Sequence, residues 1–205
     1  PAVVSESLAE STGYRENFPH QLIDVPPSDV LLPAACLPVY PFLRGRALPA
    51  SVLVTASCAR HEGGAWEAPY RLRTFHMMEL VMVGSAAYVG AVRAEVAEFF
   101  ERTLPRLGLP GEMVAATDAF YLPGGSGSRM IQKLKELKRE YVASHSGTVL
   151  CSINNHERYF ASRFGLGDDG TETGCIAFGI ERLALASLAS WGEKEESWPL
   201  ELRPE

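Results

Sequence analysis

Two apolar runs, Ser51 to Ser57 and Met77 to Val83, bracket a loop dense in glycine and charge, and this pattern constrains the fold most. The first run, Ser51-Val52-Leu53-Val54-Thr55-Ala56-Ser57, carries the β-branched residues that pack well on a pleated surface, so it reads as a strand. His61-Glu62-Gly63-Gly64-Ala65-Trp66-Glu67-Ala68-Pro69 then forces a loop, because Gly and Pro interrupt any regular element. The second run returns antiparallel to the first. A hairpin with so long and charged a tip has the look of a functional loop on a rigid support.

Helical spacing follows from Ala91 to Leu107, where Val92, Val96, Phe99, Phe100 and Leu104 share a face. Gly108-Leu109-Pro110-Gly111 ends that helix. Val114 to Tyr121 reads as a strand, Pro123 to Ser128 as a break, and Met130 to Tyr141 as a charged amphipathic helix. Val149 to Asn154 and Thr173 to Gly179 read as two more strands. Glu181 to Trp191 reads as a buried helix, since Leu183, Leu185, Leu188 and the alanines leave few polar positions. Strands separated by helices in this order predict an α+β fold, an antiparallel sheet flanked by helices. Residues 1–33, rich in Pro, Ser and acidic groups, read as an irregular arm with a short helix around Ser5 to Glu10. Residues 34–205 then form a single domain.

Composition narrows the function. The chain has 205 residues, 46% of them apolar and 21% charged, which suits one globular core. No apolar run approaches the roughly 20 residues that cross a bilayer, so no membrane partner is expected. The first residues lack the basic start and apolar middle of a secretory signal, and the expectation is a cytoplasmic protein. Pro1 is not an initiator methionine, which leaves the upstream sequence open. A net charge of −6 has the wrong sign for holding nucleic acid over a broad surface. Cys36, Cys58, Cys151 and Cys175 never form a CxxC pair, so they are buried thiols or isolated metal ligands, and spacing alone leaves both open.

The motifs are weak one at a time. Arg60-His61-Glu62 at a strand end is a common solvated cluster, and Gly179-Ile180-Glu181-Arg182 is also what a helix start with an early acidic residue looks like. Their order is more specific. Cys58-Ala59-Arg60-His61-Glu62 ends a strand, Arg73-Thr74-Phe75-His76-Met77-Met78-Glu79 enters the return strand, and Cys175 to Gly179 feeds the last long helix. This order resembles the catalytic core of class II aminoacyl-tRNA synthetases, with the first two pieces as the second motif and the last as the third. Within that class the chain is most similar to the amino acid:carrier protein ligases, truncated relatives of atypical archaeal-type seryl-tRNA synthetases. Further matching segments are Gly13 to His20, Leu32 to Pro41, Ala116 to Tyr121, Gln132-Lys133-Leu134, Leu137 to Glu140 and Ser152-Ile153-Asn154-Asn155-His156.

The resemblance implies a site for making an aminoacyl-adenylate from ATP and a small amino acid: glycine, alanine or serine. Arg60 and Arg182 are then the catalytic pair, at the α-phosphate and the distal phosphates, because fixed guanidinium groups stabilise charge that builds on phosphoryl oxygens. Glu62 orients the adenine and Phe75 stacks on it. Arg71, with Arg73, clamps the triphosphate or is a plain surface arginine. Ser152 and Asn154 are nucleotide or substrate hydrogen-bonding positions, and Mg²⁺ accompanies ATP. The family's zinc ligands, two cysteines and a glutamate, match Cys36, Glu79 and Cys175. Three protein ligands leave one position open, which suits a substrate-binding zinc that takes the α-amino group. The alternative for these three is a pair of buried thiols and a strand-edge carboxylate, and Cys58 and Cys151 read as core thiols.

His20, His61, His76, His145 and His156 show no metal spacing, and the implied reaction needs no general base because the substrate carboxylate is already ionised. Lys138 and Glu140 read as neighbours within one helical turn, either a solvated pair or a pair near the site. The acceptor implied is the phosphopantetheine thiol of a small acidic carrier protein, without tRNA, and the family implies a homodimer. An acidic partner needs a local basic face, which Arg102 and Arg106, or Lys133 and Lys135, would supply. A non-catalytic synthetase paralogue that senses amino acid or nucleotide is the alternative. Retention of both Arg60 and Arg182 argues against it.

Overall fold

The computed structural model describes residues 3–5, 29–60, 70–117 and 137–202. Its centre is a six-stranded sheet of β3 (Ala50–Ala59), β4 (Thr74–Ser85), β5 (Gly111–Ala115), β6 (Lys138–Ala143), β7 (Val149–Glu157) and β8 (Thr171–Gly179). The spatial order is β3-β4-β8-β7-β6-β5, and every neighbouring pair is antiparallel. The expected hairpin is present, in register from Ala50 opposite Val83 to Ala59 opposite Thr74. Because β3 is an edge strand, its outward residues meet water, and Leu53 is 63% exposed.

Period-two alternation divides the sheet into two faces. Met82, Ile153 and Ile176 pack against Val89 and Ala97 of α2 (Ala86–Arg106), and beside them Ala186 of α4 (Ile180–Trp191) packs in a second cluster with Leu104, Tyr141 and Cys151. Val81, Val83, Cys175 and Ala177 point the other way, into a cluster with residues 32–43 and the short helices α1 (Val39–Leu43) and α3 (Tyr159–Phe164). Tyr40 of α1 stacks on Phe160 of α3, with ring centroids 4.7 Å apart. The helical layer is pinned by indole and phenol groups. Trp191 Nε1 donates to Leu107 O at 2.6 Å, and Tyr141 Oη donates to Leu109 O at 3.0 Å.

Several elements depart from the sequence reading. Residues 138–143 form a strand, so the expected Met130–Tyr141 helix does not extend through Lys138, and residues 118–136 lie outside the described residues. Helically spaced charges misled there. Tyr141 and Ala143 are buried at every second position, and pairing with β5 and β7 overrides local propensity. The strand expected at Val114–Tyr121 starts earlier, at Gly111, and ends at Ala115; residues 116 and 117 are not in a strand, and 118–121 lie outside the described residues. Helix α2 begins at Ala86, five residues before the apolar periodicity, because the Ser85 side chain accepts from Tyr88 N at 3.2 Å and caps it. Helix α4 is not buried as expected: Ala186 is its one buried residue and Leu188 is 45% exposed. Within the 1–33 arm, β1 (Val3–Ser5) and β2 (Asp29–Leu31) pair antiparallel, so Ser5 ends a strand and the rest of the expected Ser5–Glu10 helix lies outside the described residues. No described helix is long and apolar enough to cross a membrane.

Candidate active site and metal cluster

The strand alternation sets a row of residues across the front of the sheet: Glu79 of β4 opposite Ala177 of β8, Ala177 opposite Ser152 of β7, and Ser152 opposite Glu140 of β6. Above that row lies a cleft of about 340 Å³. Arg60, Arg71, Arg182 and Lys138 line it, with Glu140 and Glu181 as the carboxylates. Phe75, Ser152, Ala177 and Gly179 complete the walls that matter here. Arg60 and Arg182, distant in sequence, therefore share one cavity.

Each arginine is fixed from behind. Arg60 Nε donates to Pro33 O at 2.6 Å, Nη2 lies 3.5 Å from Met77 Sδ, and the guanidinium stands 5.3 Å from the Phe75 ring centroid. Arg182 Nε donates to Tyr70 O at 3.0 Å, which ties the start of α4 to the end of the hairpin loop. Beside it, Glu181 accepts from His76 N at 2.9 and 3.0 Å, and its Oε1 lies 2.7 Å from His76 Nδ1. Burial pushes the Glu181 carboxyl up, but the His76 side-chain and backbone hydrogen bonds outweigh it and hold the group below its ordinary value. Lys138 and Glu140 are two apart on a strand, so both face the cleft, with Nζ 3.0 Å from Oε1. The sequence reading had the pair on a helix.

Next to the cleft, Cys36, Glu79 and Cys175 bring one ligand atom each within 4.8 Å of one another, all buried. They arrive from the loop before α1, from β4 and from β8. Ala35 N donates to Glu79 Oε1 at 2.8 Å, while Glu79 Oε2 is buried without a hydrogen-bond partner. A buried carboxylate oxygen with no partner is costly unless a cation meets it. The neighbouring thiols share these buried surroundings. Cys36 is held far above its ordinary value by its hydrogen bond to Cys175, by burial and by Glu79. At Cys175 the Cys36 hydrogen bond pulls the value down, yet burial and Glu79 raise it overall. Two sulfurs and one carboxylate are a donor set for a borderline-soft divalent ion such as zinc, and the residues fit it.

The remaining sequence-predicted positions are placed as follows. Asn154 sits at the Cys36–Glu79–Cys175 cluster, its Nδ2 3.4 Å from Cys175 Sγ and 3.2 Å from Ser152 Oγ. Arg73 is exposed where the hairpin loop meets β4, and its carbonyl accepts from Arg60 N at 3.0 Å. Arg102 and Arg106 lie on α2, in the layer behind the sheet. Glu62, Lys133 and Lys135 lie outside the described residues. Cys58 and Cys151 are buried, and burial, the largest cause for each, pushes both thiols up to about 12. Cys151 also touches the wall of the cleft.

Two proteins of Bradyrhizobium diazoefficiens are similar along nearly the whole chain. Amino acid–acyl-carrier-protein ligase 1 is 30% identical over 99% of this chain and 74% of its own length, and ligase 2 is 31% identical over 99% and 72%. The chain belongs to the amino acid–acyl-carrier-protein ligase family. The type-2 serine–tRNA ligase of Methanococcus aeolicus is 27% identical over 97% of this chain but only 42% of its own length. No family profile matches. Among solved structures, the M. kandleri seryl-tRNA synthetase, in a complex with an A. aeolicus tRNASec, superposes with a TM-score of 0.78 at 20% identity. That match covers 97% of this chain and 48% of the synthetase, so the chain spans about half of it. Giardia lamblia prolyl-tRNA synthetase, solved with prolyl-adenylate, gives 0.69 at 16% identity over 91% of this chain and 40% of its own. The chain thus has the class II aminoacyl-tRNA synthetase fold.

Proposed function

We propose that this ligase activates glycine, alanine or serine with ATP and passes the aminoacyl group to the phosphopantetheine thiol of an acidic carrier protein. The observation that carries the reading is the shared cleft of Arg60, Arg71 and Arg182 beside the buried Cys36–Glu79–Cys175 cluster. In the first step a carboxylate oxygen of the amino acid attacks the α-phosphorus, the bond to the bridging oxygen breaks, and pyrophosphate leaves, with Mg²⁺ accompanying the ATP. Arg60, already fixed by Pro33 O, stabilises charge on the α-phosphate without reorganising, and Arg182 and Arg71 hold the departing phosphates. Phe75 gives the adenine a stacking face, and Ser152 hydrogen-bonds the nucleotide or the substrate from the floor. In the second step the carrier thiol attacks the adenylate carbonyl and AMP leaves.

Cys36, Glu79 and Cys175 would hold zinc, and Asn154 would steady Cys175. Bound there, zinc supplies one open coordination position that suits a neutral α-amine and so favours amino acids over plain carboxylic acids. Acceptance of a carrier protein rather than tRNA follows the named activity of the relatives and accords with a net charge of −6.

Amino-acid-dependent exchange of pyrophosphate into ATP tests the reading. Exchange with at least one of glycine, alanine and serine, lost on chelation and restored by zinc, is the expected result. Absence of exchange with every amino acid, in protein that still binds ATP, would favour the sensing paralogue.

A further inference from the structure

His156 is buried at 4% exposure on the front face of the sheet, and the reaction above gives it no task. Its position depends on a slip in strand register. Asn155 pairs with Gly174 and Glu157 with Thr173, so His156 is the extra residue of a bulge in β7. Glu157 takes φ 48° to make it, a left-handed conformation uncommon outside glycine. Bulges beside sites re-aim side chains, and this one brings His156 Nε2 to 3.6 Å from Cys175 Sγ. On the other side of the ring, Nδ1 lies 3.1 Å from Tyr40 Oη and 3.3 Å from Thr173 Oγ1. Phe160 meets the imidazole edge-on at 4.9 Å while stacking on Tyr40, so the ring is held on its flank as well as at both nitrogens.

The imidazole is not one of the three groups whose ligand atoms all lie within 4.8 Å of one another. We infer that His156 is a positioning residue of the metal cluster, donating its Nε2–H to the Cys175 sulfur and fixing that ligand's orientation while the open position stays free for substrate. This rests on the reading of Cys36, Glu79 and Cys175 as metal ligands. A ligating thiolate only accepts, so the Nε2 nitrogen carries the hydrogen, and the single lone pair of Nδ1 accepts from the Tyr40 hydroxyl, the nearer of the two, with Thr173 Oγ1 beside it. Asn154 Nδ2 supplies a second donor to the same sulfur. Partners of this kind orient metal ligands, and their loss typically weakens metal binding by about 10–100-fold.

The test uses the whole chain loaded with zinc, and separately with cobalt, as parent, H156F, H156Q and Y40F. Zinc affinity is read by competition with a chromophoric chelator, and the cysteine environment by the sulfur-to-cobalt absorption band. H156F keeps a ring against Phe160 but has no donor, and its zinc affinity should fall by about 10–100-fold with a shifted band. H156Q places an amide N–H near the same point and should recover most of the affinity and the parent band. If H156F does not fold, the comparison stands on H156Q, which should stay near the parent, and on Y40F, which should weaken zinc by less than about tenfold and still shift the band. Zinc held as tightly by H156F as by the parent, or H156Q no better than H156F, would overturn the inference. With H156F unfolded, an unmoved band in Y40F would overturn it. A parent that takes up no zinc would overturn the metal reading itself, a result that differs from both.

Discussion

At the residue scale the chemistry rests on a few charged groups whose surroundings fix them before substrate arrives. Arg60 and Arg182 are tethered through Nε to backbone carbonyls, and both line the cleft. Arg60→Ala or Arg182→Ala should lower pyrophosphate exchange by about 10²–10³-fold while leaving the folded state intact, since each removes one preorganised donor. Circular dichroism alongside the exchange rate checks both halves. Glu181 gives a pH prediction. Its folded-state value is lowered from 4.5, so its contribution to stability is present above that pH and is lost as pH falls through the lowered value. The stability gap between the parent and Glu181→Gln should therefore be largest above about pH 5 and close in more acid solution. The gap will be modest, because His76 is 57% exposed and solvent screens the pair. A gap that widens on acidification would contradict the sign.

At the element scale, the two faces of the sheet do different work. Helices α2 and α4 cover the back, while α1 and α3 wall the front around Cys36 and Cys175. Phe160 joins α3 to α1 through the Tyr40 stack and is fully buried, so Phe160→Ala should cost about 3–5 kcal/mol in denaturant unfolding and should also loosen the Cys36 loop. This scale also shows what the sequence made legible. The hairpin was readable because a β-branched run and an apolar run flank a Gly- and Pro-rich loop, and the last long helix because Leu183, Leu185, Leu188 and the alanines leave few polar positions, although their burial was overestimated. Residues 138–141 were not, because lysines and glutamates at helical spacing say nothing of the partners β5 and β7 that make them a strand. Helices α1 and α3, at five and six residues, are too short to show a period.

At the scale of the whole molecule, the candidate site exists only because distant parts of the chain meet. Cys36, Glu79 and Cys175 have no spacing rule in common, and resemblance to a family was the one signal that linked them. The sequence reading ends β7 at Asn154 and assigns His156 no role, and the approach of that residue to Cys175 depends on a bulge that no local pattern announces. A metal shared by three separate elements should also stabilise the fold, since a ligand that binds only the folded state shifts the unfolding equilibrium toward it. Chelation should therefore lower the melting temperature of the parent and leave Cys36→Ser or Cys175→Ser unmoved. Those variants should each lose bound zinc, and full retention of zinc in both would remove the ligand assignment.

A crystal structure with a non-hydrolysable glycyl-adenylate analogue would bear most directly on the joint site. Adenine over Phe75, the phosphate surrogate against Arg60, and the analogue's amino nitrogen on a metal held by Cys36, Glu79 and Cys175 is the arrangement expected. An analogue seated with its amino group turned away from those three residues, or bound outside the cleft between Arg60 and Arg182, would contradict it.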